Sequence, residues 1–515
     1  MKRLDVLMVL LALAAMAFGQ DIQRLEKKAQ KGNVESQVQL GNCYIQGIGV
    51  PKDTLKAIYW YERAAKQGEA SSQYVLGRCY AEGLGVLQDA TKAVYWYERA
   101  ALQGFALAQN NLGSCYEDGQ GVQKDASWAV YWYRKAAIQG FAPAQSNLGH
   151  CFYDGIGVGK DVSMAVYWAK KAALQGNAIA QNNLGTYFME GIGDTLKALH
   201  WYEKAAEQGL SIAQLQLGSC YENGKGVSKD ISKAICWYEK AAEQDLDVAQ
   251  YKLGNCYENG RGVPKDMSKA VYWYKKGAEN GDCFAQNQLG NCYENGQGVP
   301  KDMSKAVYWY KKSAENGFYP AQNNLAFCYE NGQGVPKNVS KAVYWYEKSV
   351  AQNNPAAQYN LSRLYYEGCG VKQDYGKMIE LLRKASEQDF VFAQVCLGYY
   401  YEKGIGVSKD VFKAAEWYKK ALEQNHPISQ YMWGRCCYEG KGIPKDYSMA
   451  VKYFNMVYNN GYDASGATAF YLSKCYRFGR GVPQDIAKAD SLQKEALEKG
   501  WDEAKAIEDL LKNLR

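Results

Sequence analysis

Residues 40–53, LGNCYIQGIGVPKD, and residues 56–68, KAIYWYERAAKQG, form the stretch that decides the fold. Thirty-six residues later the same positions are filled again, for example by Gly77, Cys79 and Trp96. The glycine that ends the first helical segment recurs in thirteen copies, at Gly47, Gly83, Gly119, Gly155, Gly191, Gly224, Gly260, Gly296, Gly332, Gly368, Gly404, Gly440 and Gly479. A fixed period of this length is typical of a solenoid, in which each repeat packs only against its neighbours.

Each copy is predicted to form two helices, which we call helix A and helix B. In the third copy, helix A carries Ala108 and Leu112 on one face, because residues four apart point the same way on a helix. Gly119 ends this helix, and Asp125 is predicted to cap the start of helix B. The position of Gly113 is small in every copy, so we expect a neighbouring helix to approach closely there.

Both ends of the array are predicted to be capped. Residues 20–32 match the second half of a repeat and are predicted to form a single capping helix. The solenoid is predicted to cover residues 33–500, and the apolar stripe in residues 501–515 predicts a closing helix. One loop, between Gly193 and Ala198, is three residues short, and one linker, near residues 461–468, is three residues long.

Residues 1–19 have the pattern of a secretory signal peptide. Lys2 and Arg3 precede the apolar run Val6–Phe18, and small residues stand before Gln20. This run is too short to span a bilayer core, although an uncleaved anchor is the alternative interpretation. No later stretch is predicted to cross a membrane. The chain is therefore predicted to be secreted or periplasmic.

The charge of the chain argues against nucleic acid as a partner. Sixty-one Lys and Arg residues and 54 Asp and Glu residues give a formal net charge of +7. The two signs alternate along the predicted helices, whereas nucleic-acid-binding proteins gather basic residues on one face.

Fifteen cysteines in an exported chain suggest disulfides, but their spacing argues against most of them. Equivalent helices of a stack lie about 8–10 Å apart, whereas bridged Cα atoms lie within about 7 Å. Ten cysteines share one repeat position and are predicted to be small buried apolar groups: Cys43, Cys79, Cys115, Cys151, Cys220, Cys256, Cys292, Cys328, Cys436 and Cys475. One or two bridges stay open among Cys236, Cys283, Cys369, Cys396 and Cys437.

The repeat resembles a known family. The pattern Ala-Gln-x-x-Leu-Gly-x-x-Tyr-x-x-Gly-x-Gly-Val-x-x-Asp-x-x-Lys-Ala-x-x-Trp-Tyr-x-Lys-Ala-Ala-x-Gln-Gly is similar to the Sel-1-like repeat, a relative of the tetratricopeptide repeat. The resemblance implies an all-α, right-handed superhelical solenoid of antiparallel helix pairs, with helix A lining the concave face. It also implies an adaptor that holds other proteins. The tenth copy departs from the pattern with Leu381 in place of Trp, and the last two with Tyr453 and Leu492.

No catalytic, metal or cofactor site is predicted. His150, His200 and His426 lack metal-ligand spacing. The Gly-x-Gly turns precede no strand and lack the Lys-Ser/Thr ending of a phosphate loop. Cysteine-rich members of the family have been described as β-lactam-binding or β-lactamase-like, but only Ser491 and Lys494 here fit the Ser-x-x-Lys part of that mechanism, without its partner motifs. The chain is therefore predicted not to be an enzyme.

Partner binding is predicted at the residue between the small position and the cysteine position of helix A, which we call the pre-cysteine position. It holds Asn, Arg and Lys in different copies, which a core position would not tolerate, so it is predicted to face solvent. Copies three to eight present short amides and hydroxyls there. In copies nine to twelve the predicted protein-binding residues, including one neighbour of this position, are Phe327, Arg363, Tyr399, Met432 and Arg435. The alternative is that these side chains pack inward.

An envelope glycan is the alternative ligand, because flat aromatic rings can stack on sugars. Trp60 and Tyr61 of helix B are predicted to face the core, which is the favoured use of most of the rings. The preceding tyrosine of each copy is predicted to form a stripe on the convex side: Tyr59, Tyr95, Tyr131, Tyr167, Tyr272, Tyr308 and Tyr344.

Overall fold

The computed structural model describes residues 22–462 and 466–501. The predicted signal peptide lies outside these residues, and so does the predicted closing helix except for Trp501. The described residues form helices and contain no β-strand, so the all-α prediction is confirmed.

The helices follow one another in A and B pairs after a first unpaired helix. In chain order they are α1 (22–30), α2 (Val34–Gln46), α3 (Thr54–Lys66), α4 (Ala70–Glu82), α5 (Ala90–Leu102), α6 (Ala106–Asp118), α7 (Ala126–Ile138), α8 (Ala142–Asp154), α9 (Val162–Leu174), α10 (Ala178–Thr186), α11 (Thr195–Glu207), α12 (Ser211–Asn223), α13 (Ile231–Glu243), α14 (Asp247–Asn259), α15 (Met267–Glu279), α16 (Cys283–Asn295), α17 (Met303–Glu315), α18 (Tyr319–Asn331), α19 (Val339–Ala351), α20 (Pro355–Glu367), α21 (Tyr375–Glu387), α22 (Val391–Lys403), α23 (Val411–Leu422), α24 (Pro427–Glu439), α25 (Tyr447–Asn459), α26 (Ala467–Phe478) and α27 (Ile486–Glu498).

The chain divides into two compact units. The first comprises the residues up to Cys256 together with Gly260–Pro264, and the second comprises Tyr257–Asn259 together with the residues from Lys265 onward. Within each unit, helix A packs against helix B of its own copy, and helix B packs against helix A of the next copy. Each unit is therefore a stack of helical hairpins, as the repeat predicts.

The turn between helices A and B has the predicted caps. In the third copy Gly119 has φ of 77° and donates its N–H to the Cys115 carbonyl over 2.9 Å, which closes α6 in a conformation that favours glycine. Asp125 accepts hydrogen bonds from the N–H groups of Ser127 (2.9 Å) and Trp128 (3.1 Å) at the start of α7. These local contacts set the length of each helix.

A ladder of buried glutamines joins each copy to the one before it. Gln109 of α6 donates its side-chain N–H to the Ala101 carbonyl of α5 over 3.0 Å, and it accepts a hydrogen bond of 2.7 Å from Gln139 of α7. Because each glutamine satisfies a carbonyl at the end of a helix, the ladder supplies a partner that the helix itself cannot. We did not predict this role, although the two glutamines recur 30 residues apart in the sequence.

The shortened loop of the fifth copy is absorbed by the end of helix A. There α10 stops at Thr186, and the six residues Tyr187–Ile192 form a π-helix before Gly193, which has φ of 84°. Wider helical turns use up chain at the point where the loop has three residues fewer than elsewhere.

The cysteines behave as packing groups. All fifteen lie among the described residues and all are free thiols. Most of the ten that share a repeat position are buried, and Cys43 and Cys115 are half-buried, so the packing prediction is confirmed. Burial raises the pKa of Cys151 to about 12, which leaves its thiol protonated and unreactive at neutral pH.

Candidate partner-binding surface

The pre-cysteine position faces solvent in most copies but not in all. Asn42, Arg78 and His150 are exposed. The position is half-buried at Ser114, Thr186, Ser219, Asn255, Asn291, Phe327, Arg363 and Lys474. It is buried at Tyr399 and Arg435. The prediction of a solvent-facing position is therefore wrong for these two residues.

Arg435 is buried because the preceding copy offers it a carboxylate. Its side chain is only 2% exposed and forms an ion pair with Glu402, 33 residues earlier on the neighbouring helix A. Lys441 also reaches Glu402 (2.8 Å), and the Tyr418 hydroxyl donates to it over 3.1 Å. Burial by itself would raise the pKa of Glu402, but the Arg435 and Lys441 charges with these hydrogen bonds hold that pKa below its usual value.

Arg363 repeats this arrangement one step earlier in the second unit. It forms an ion pair with Glu330, again 33 residues before it, and Glu330 accepts the Tyr346 hydroxyl over 2.8 Å. Arg363 is less enclosed than Arg435, with a quarter of its side chain exposed. Two of the arginines predicted to bind a partner therefore link successive A helices of the chain itself.

Tyr399 and Met432 are also packed inside the second unit. Rings from several A helices contact one another there, for example Tyr431 with Tyr471 (6.2 Å between ring centres) and Tyr438 with Tyr471 (5.4 Å). Aromatic side chains bury large areas, so this surface is filled by the chain itself. The alternative of inward packing holds for Tyr399, Met432 and Arg435, and only Phe327 and part of Arg363 stay accessible.

The small position of helix A lies against a helix B tyrosine. A Cβ built on Gly290 would stand 2.5 Å from the Tyr310 ring, so no side chain fits between them. The predicted close approach of a neighbouring helix is thus explained by one ring. Its hydroxyl lies 2.6 Å from Glu294 and 2.8 Å from the Asn291 side-chain oxygen, on the helix A surface. Burial and the hydrogen bond to Glu294 raise the pKa of Tyr310 well above its usual value, so the hydroxyl stays a donor.

Most glutamates that accept such a tyrosine hydroxyl in the later copies are neutralised by the chain. Glu222 pairs with Lys252 (3.1 Å) and Arg261 (2.9 Å). Glu330 and Glu402 have the arginine partners already described. The sequence could have revealed these pairs through their constant separations, which the search for separate surface residues did not use.

Glu294 is different, because the residue 33 positions later is Phe327. Within the described ranges no Lys or Arg forms an ion pair with Glu294, which is half-buried. Asn291 beside it donates to Gln288 over 2.7 Å, so the carboxylate stands among amides and a tyrosine hydroxyl. We call Gln288, Asn291, Glu294, Tyr310 and Phe327 the Glu294 cluster. A carboxylate in this setting can accept hydrogen bonds from an ammonium or guanidinium group.

The outer face of helix B carries the predicted tyrosine stripe. Trp60 and Tyr61 are buried as predicted, whereas the tyrosine before them is 43–54% exposed in seven copies. Each exposed ring meets the neighbouring indole edge-on, as for Tyr308 and Trp309 at 5.0 Å. A lysine or arginine four residues later lies over the ring, as Lys312 does over Tyr308 at 5.6 Å.

The residues weighed for chemistry have structural partners. His150 lies 3.0 Å from Asp154, His200 packs edge-on against Trp201, and His426 accepts an N–H at the start of α24. Ser491 and Lys494 are exposed on α27, and Lys494 reaches Glu498 (3.8 Å), so the serine has no enclosed lysine beside it.

Two searches of the described part of the chain found no further centre. Residues 22–462 and 466–501 contain no group of three or more His, Cys, Asp or Glu side chains arranged to hold a metal ion. Among the same residues, no helix combines the length and apolarity needed to cross a bilayer.

The fold and this surface define a class of protein, the helical-hairpin solenoids that offer area for binding and no reaction centre. A family model described as the Sel1 repeat matches the chain thirteen times, at residues 34–69, 70–105, 106–141, 142–177, 178–210, 211–246, 247–282, 283–318, 320–354, 355–390, 391–426, 427–462 and 467–489. The chain belongs to the Sel1 repeat family.

Solved structures of Sel1-like proteins are similar to the chain. The protein c5321, a protective antigen of uropathogenic Escherichia coli strains with an SLR fold, is 33% identical over 96% of this chain and 97% of that one, with a TM-score of 0.61. A Sel1 repeat protein from Oxalobacter formigenes is also 33% identical, over 60% of this chain and 90% of that one, with a TM-score of 0.46. No curated protein sequence matches. Sel1 repeats generally mediate protein interactions, and their solenoid is typically a scaffold without catalysis.

Proposed function

We propose that the chain is an exported scaffold that holds protein partners on its helix A surface, with the Glu294 cluster as the centre of the site. The observation that carries the proposal is the contrast between Glu294 and its equivalents. Glu330 and Glu402 are each covered by an arginine of the next copy, whereas Glu294 is followed by Phe327 at that position. A lysine or arginine of a partner would take the place that the chain leaves to Phe327.

The chemistry of this cluster favours a basic peptide segment as the ligand. A cation that reaches Glu294 would also lie near the amides of Gln288 and Asn291, which can bind peptide groups. Phe327 is half-buried and can contribute apolar or cation–π contact. Aromatic residues at the centre of an interface are frequent sources of binding energy, at about 2 kcal/mol or more.

Affinity capture tests this proposal. The chain from Gln20 onward would be immobilised, exposed to envelope extract and medium of its source organism, and the retained proteins identified by mass spectrometry. Glu294→Gln with Phe327→Ala is expected to reduce recovery of a specific partner at least tenfold, because a charge-assisted hydrogen bond and a ring contact are lost.

The matched control changes the same residue types on the outer face of helix B, as Glu315→Gln with Tyr308→Ala. This variant is expected to retain the partner. Equal recovery by both variants, at unchanged melting temperatures, would contradict the proposed site without contradicting the fold.

Export is supported by the basic start and apolar run of residues 1–19. The similar Escherichia coli protein is a protective antigen, which agrees with a location outside the cytoplasm. Expression with a C-terminal tag, fractionation and N-terminal sequencing are expected to give a mature chain that begins at Gln20 in the periplasm or medium. A chain that keeps Met1 in the cytoplasm would contradict export.

Envelope glycan is the second candidate ligand, and the exposed tyrosine stripe is the observation that favours it. Rings such as Tyr272, Tyr308 and Tyr344 recur at a fixed interval, each with a cation beside it. Retention on immobilised peptidoglycan, lost in a variant with these three tyrosines changed to Ser, would support glycan binding. A chain that passes through such a column unretained would remove it.

A further inference from the structure

Three neighbouring B helices of the first unit end in exposed aliphatic side chains. Leu102, Ile138 and Leu174 are the last residues of α5, α7 and α9, and they are 71%, 70% and 68% exposed. In most other copies the same position is a glutamate: Glu207, Glu243, Glu279, Glu315, Glu387, Glu423 and Glu498. Isolated exposed leucines are ordinary, but three in consecutive copies at a position usually charged form a row that calls for a role.

The turns that follow these helices are uncharged as well. Residues 100–116, 136–149 and 172–189 contain no Asp, Glu, Lys or Arg. Two of the three turns lead directly to a second exposed aliphatic side chain, Leu107 in α6 and Ile179 in α10. The three helix ends, which we call the apolar tips, therefore combine aliphatic side chains with uncharged turns.

Cations stand one helical turn behind each tip. Arg99, Lys135 and Lys171 are three residues before Leu102, Ile138 and Leu174, so they lie on the same faces of their helices. Arg134 and Lys170 add two more positive charges beside them, and Glu98 is the one carboxylate among these neighbouring positions. The surroundings of the tips are thus strongly positive.

Tyrosines form the next layer. Tyr95, Tyr131 and Tyr167 are seven residues before the tips, about 10 Å back along each helix. They are among the exposed rings of the stripe. The cations lie over these rings, at 5.4 Å for Arg99, 5.5 Å for Lys135 and 4.6 Å for Lys171. From the tip backward, each helix therefore presents an aliphatic group, a cation and an aromatic ring.

This order matches the layers of a membrane surface. Aliphatic side chains reach the acyl boundary, Lys and Arg pair with anionic phosphates, and Tyr favours the interface. A protein partner that packs an amphipathic helix would instead require an apolar groove, whereas these side chains protrude singly from separate helix ends. We propose that the apolar tips of α5, α7 and α9 dock the chain on a bilayer that contains anionic lipid.

Vesicle flotation tests this inference on the chain from Gln20 onward. Vesicles of phosphatidylcholine with about one third phosphatidylglycerol are expected to carry the chain to the top of the gradient, less so as salt is raised. The variant Leu102→Glu, Ile138→Glu, Leu174→Glu is expected to lower partitioning roughly 100-fold, since full burial of one such side chain is worth about tenfold or more. Because glutamate occupies this position in other copies, the variant is expected to fold, which circular dichroism checks.

The chain offers a matched control with the same change of charge. Leu55, Leu196 and Phe412 are 68%, 71% and 70% exposed, but they lie near the starts of α3, α11 and α23 rather than at the tips. Their triple replacement by Glu is expected to reduce flotation only slightly, through the added negative charge.

Three results would overturn the inference. The wild-type chain could stay at the bottom of the gradient with every vesicle, or the tip variant could float like the wild type. The chain could also self-associate without lipid in a way that the tip variant abolishes, which would identify the tips as a protein interface instead. None of these results affects the Glu294 cluster, so this inference and the proposed function can fail separately.

Discussion

Glu294 and Glu402 occupy the same position in two copies of the second unit, and they have opposite surroundings. Each accepts a tyrosine hydroxyl from helix B of its own copy, at 2.6 Å from Tyr310 and 3.1 Å from Tyr418. The next copy then contributes Arg435 to Glu402 and Phe327 to the corresponding place near Glu294. One residue per repeat therefore decides whether this surface is closed by an internal ion pair or left for a ligand.

The largest expected effect comes from breaking the closed member of this comparison. Glu402→Gln leaves the Arg435 charge buried without its carboxylate, which typically costs about 3–5 kcal/mol. Hydrogen exchange followed by mass spectrometry is expected to show a drop of about this size in the free energy of opening of α22–α25. Glu294→Gln is the control and is expected to change the opening of α16 and α17 by less than about 1 kcal/mol. Equal effects at the two glutamates would show that the comparison is wrong.

A smaller loss is expected when the space between the helices is filled. Gly290→Val places methyl groups against the Tyr310 ring, and such overpacking costs about 1–3 kcal/mol. Adding Tyr310→Ala is expected to recover part of this loss, because the two residues are in contact and their effects are not additive. Denaturant melting of the four chains of this cycle measures the coupling. Strict additivity would contradict the packing explanation.

Acid is expected to weaken the closed surface selectively. The pKa of Glu402 is lower in the folded chain than the usual value of about 4.3 for an unfolded glutamate. Its contribution to stability is therefore complete above that usual value and is lost as pH falls through the lower folded-state pKa. Hydrogen exchange of α22–α25 is expected to increase between about pH 5 and pH 3. In Glu402→Gln this part of the pH dependence should disappear, and an unchanged profile would count against the explanation.

The smallest expected effect is chemical rather than energetic, and it compares the two kinds of cysteine position. Cys236 is exposed on α13, whereas Cys151 is buried and its pKa is raised to about 12. In the native chain, a maleimide reagent is expected to label Cys236 within minutes and to leave Cys151 unlabelled. Mass spectrometry of tryptic peptides measures both, and Cys236→Ser is expected to leave the melting temperature unchanged.

The repeat, the helix pairs, the caps and the packing role of the cysteines could all be predicted from the sequence. Gly119 and Asp125 act through neighbours a few residues away, so their roles are visible in a single copy. Exposure at the pre-cysteine position was argued from its mixed composition, and that argument fails at Arg435. Its fate depends on Glu402, 33 residues earlier in another helix, which the composition of one position does not contain.

The sequence by itself determined the period, the two helices of each copy and the capping at their ends, because these features depend on contacts within one repeat. Only the tertiary structure decided which helix A side chains stay accessible, because their exposure depends on what the adjacent copy places against them. It brought Arg435 into an ion pair and turned Tyr399 into a packing residue, while Phe327 stayed half-exposed beside Glu294. Near-identical repeats thus share a backbone and differ in surface, since burial is a property of neighbouring copies rather than of one.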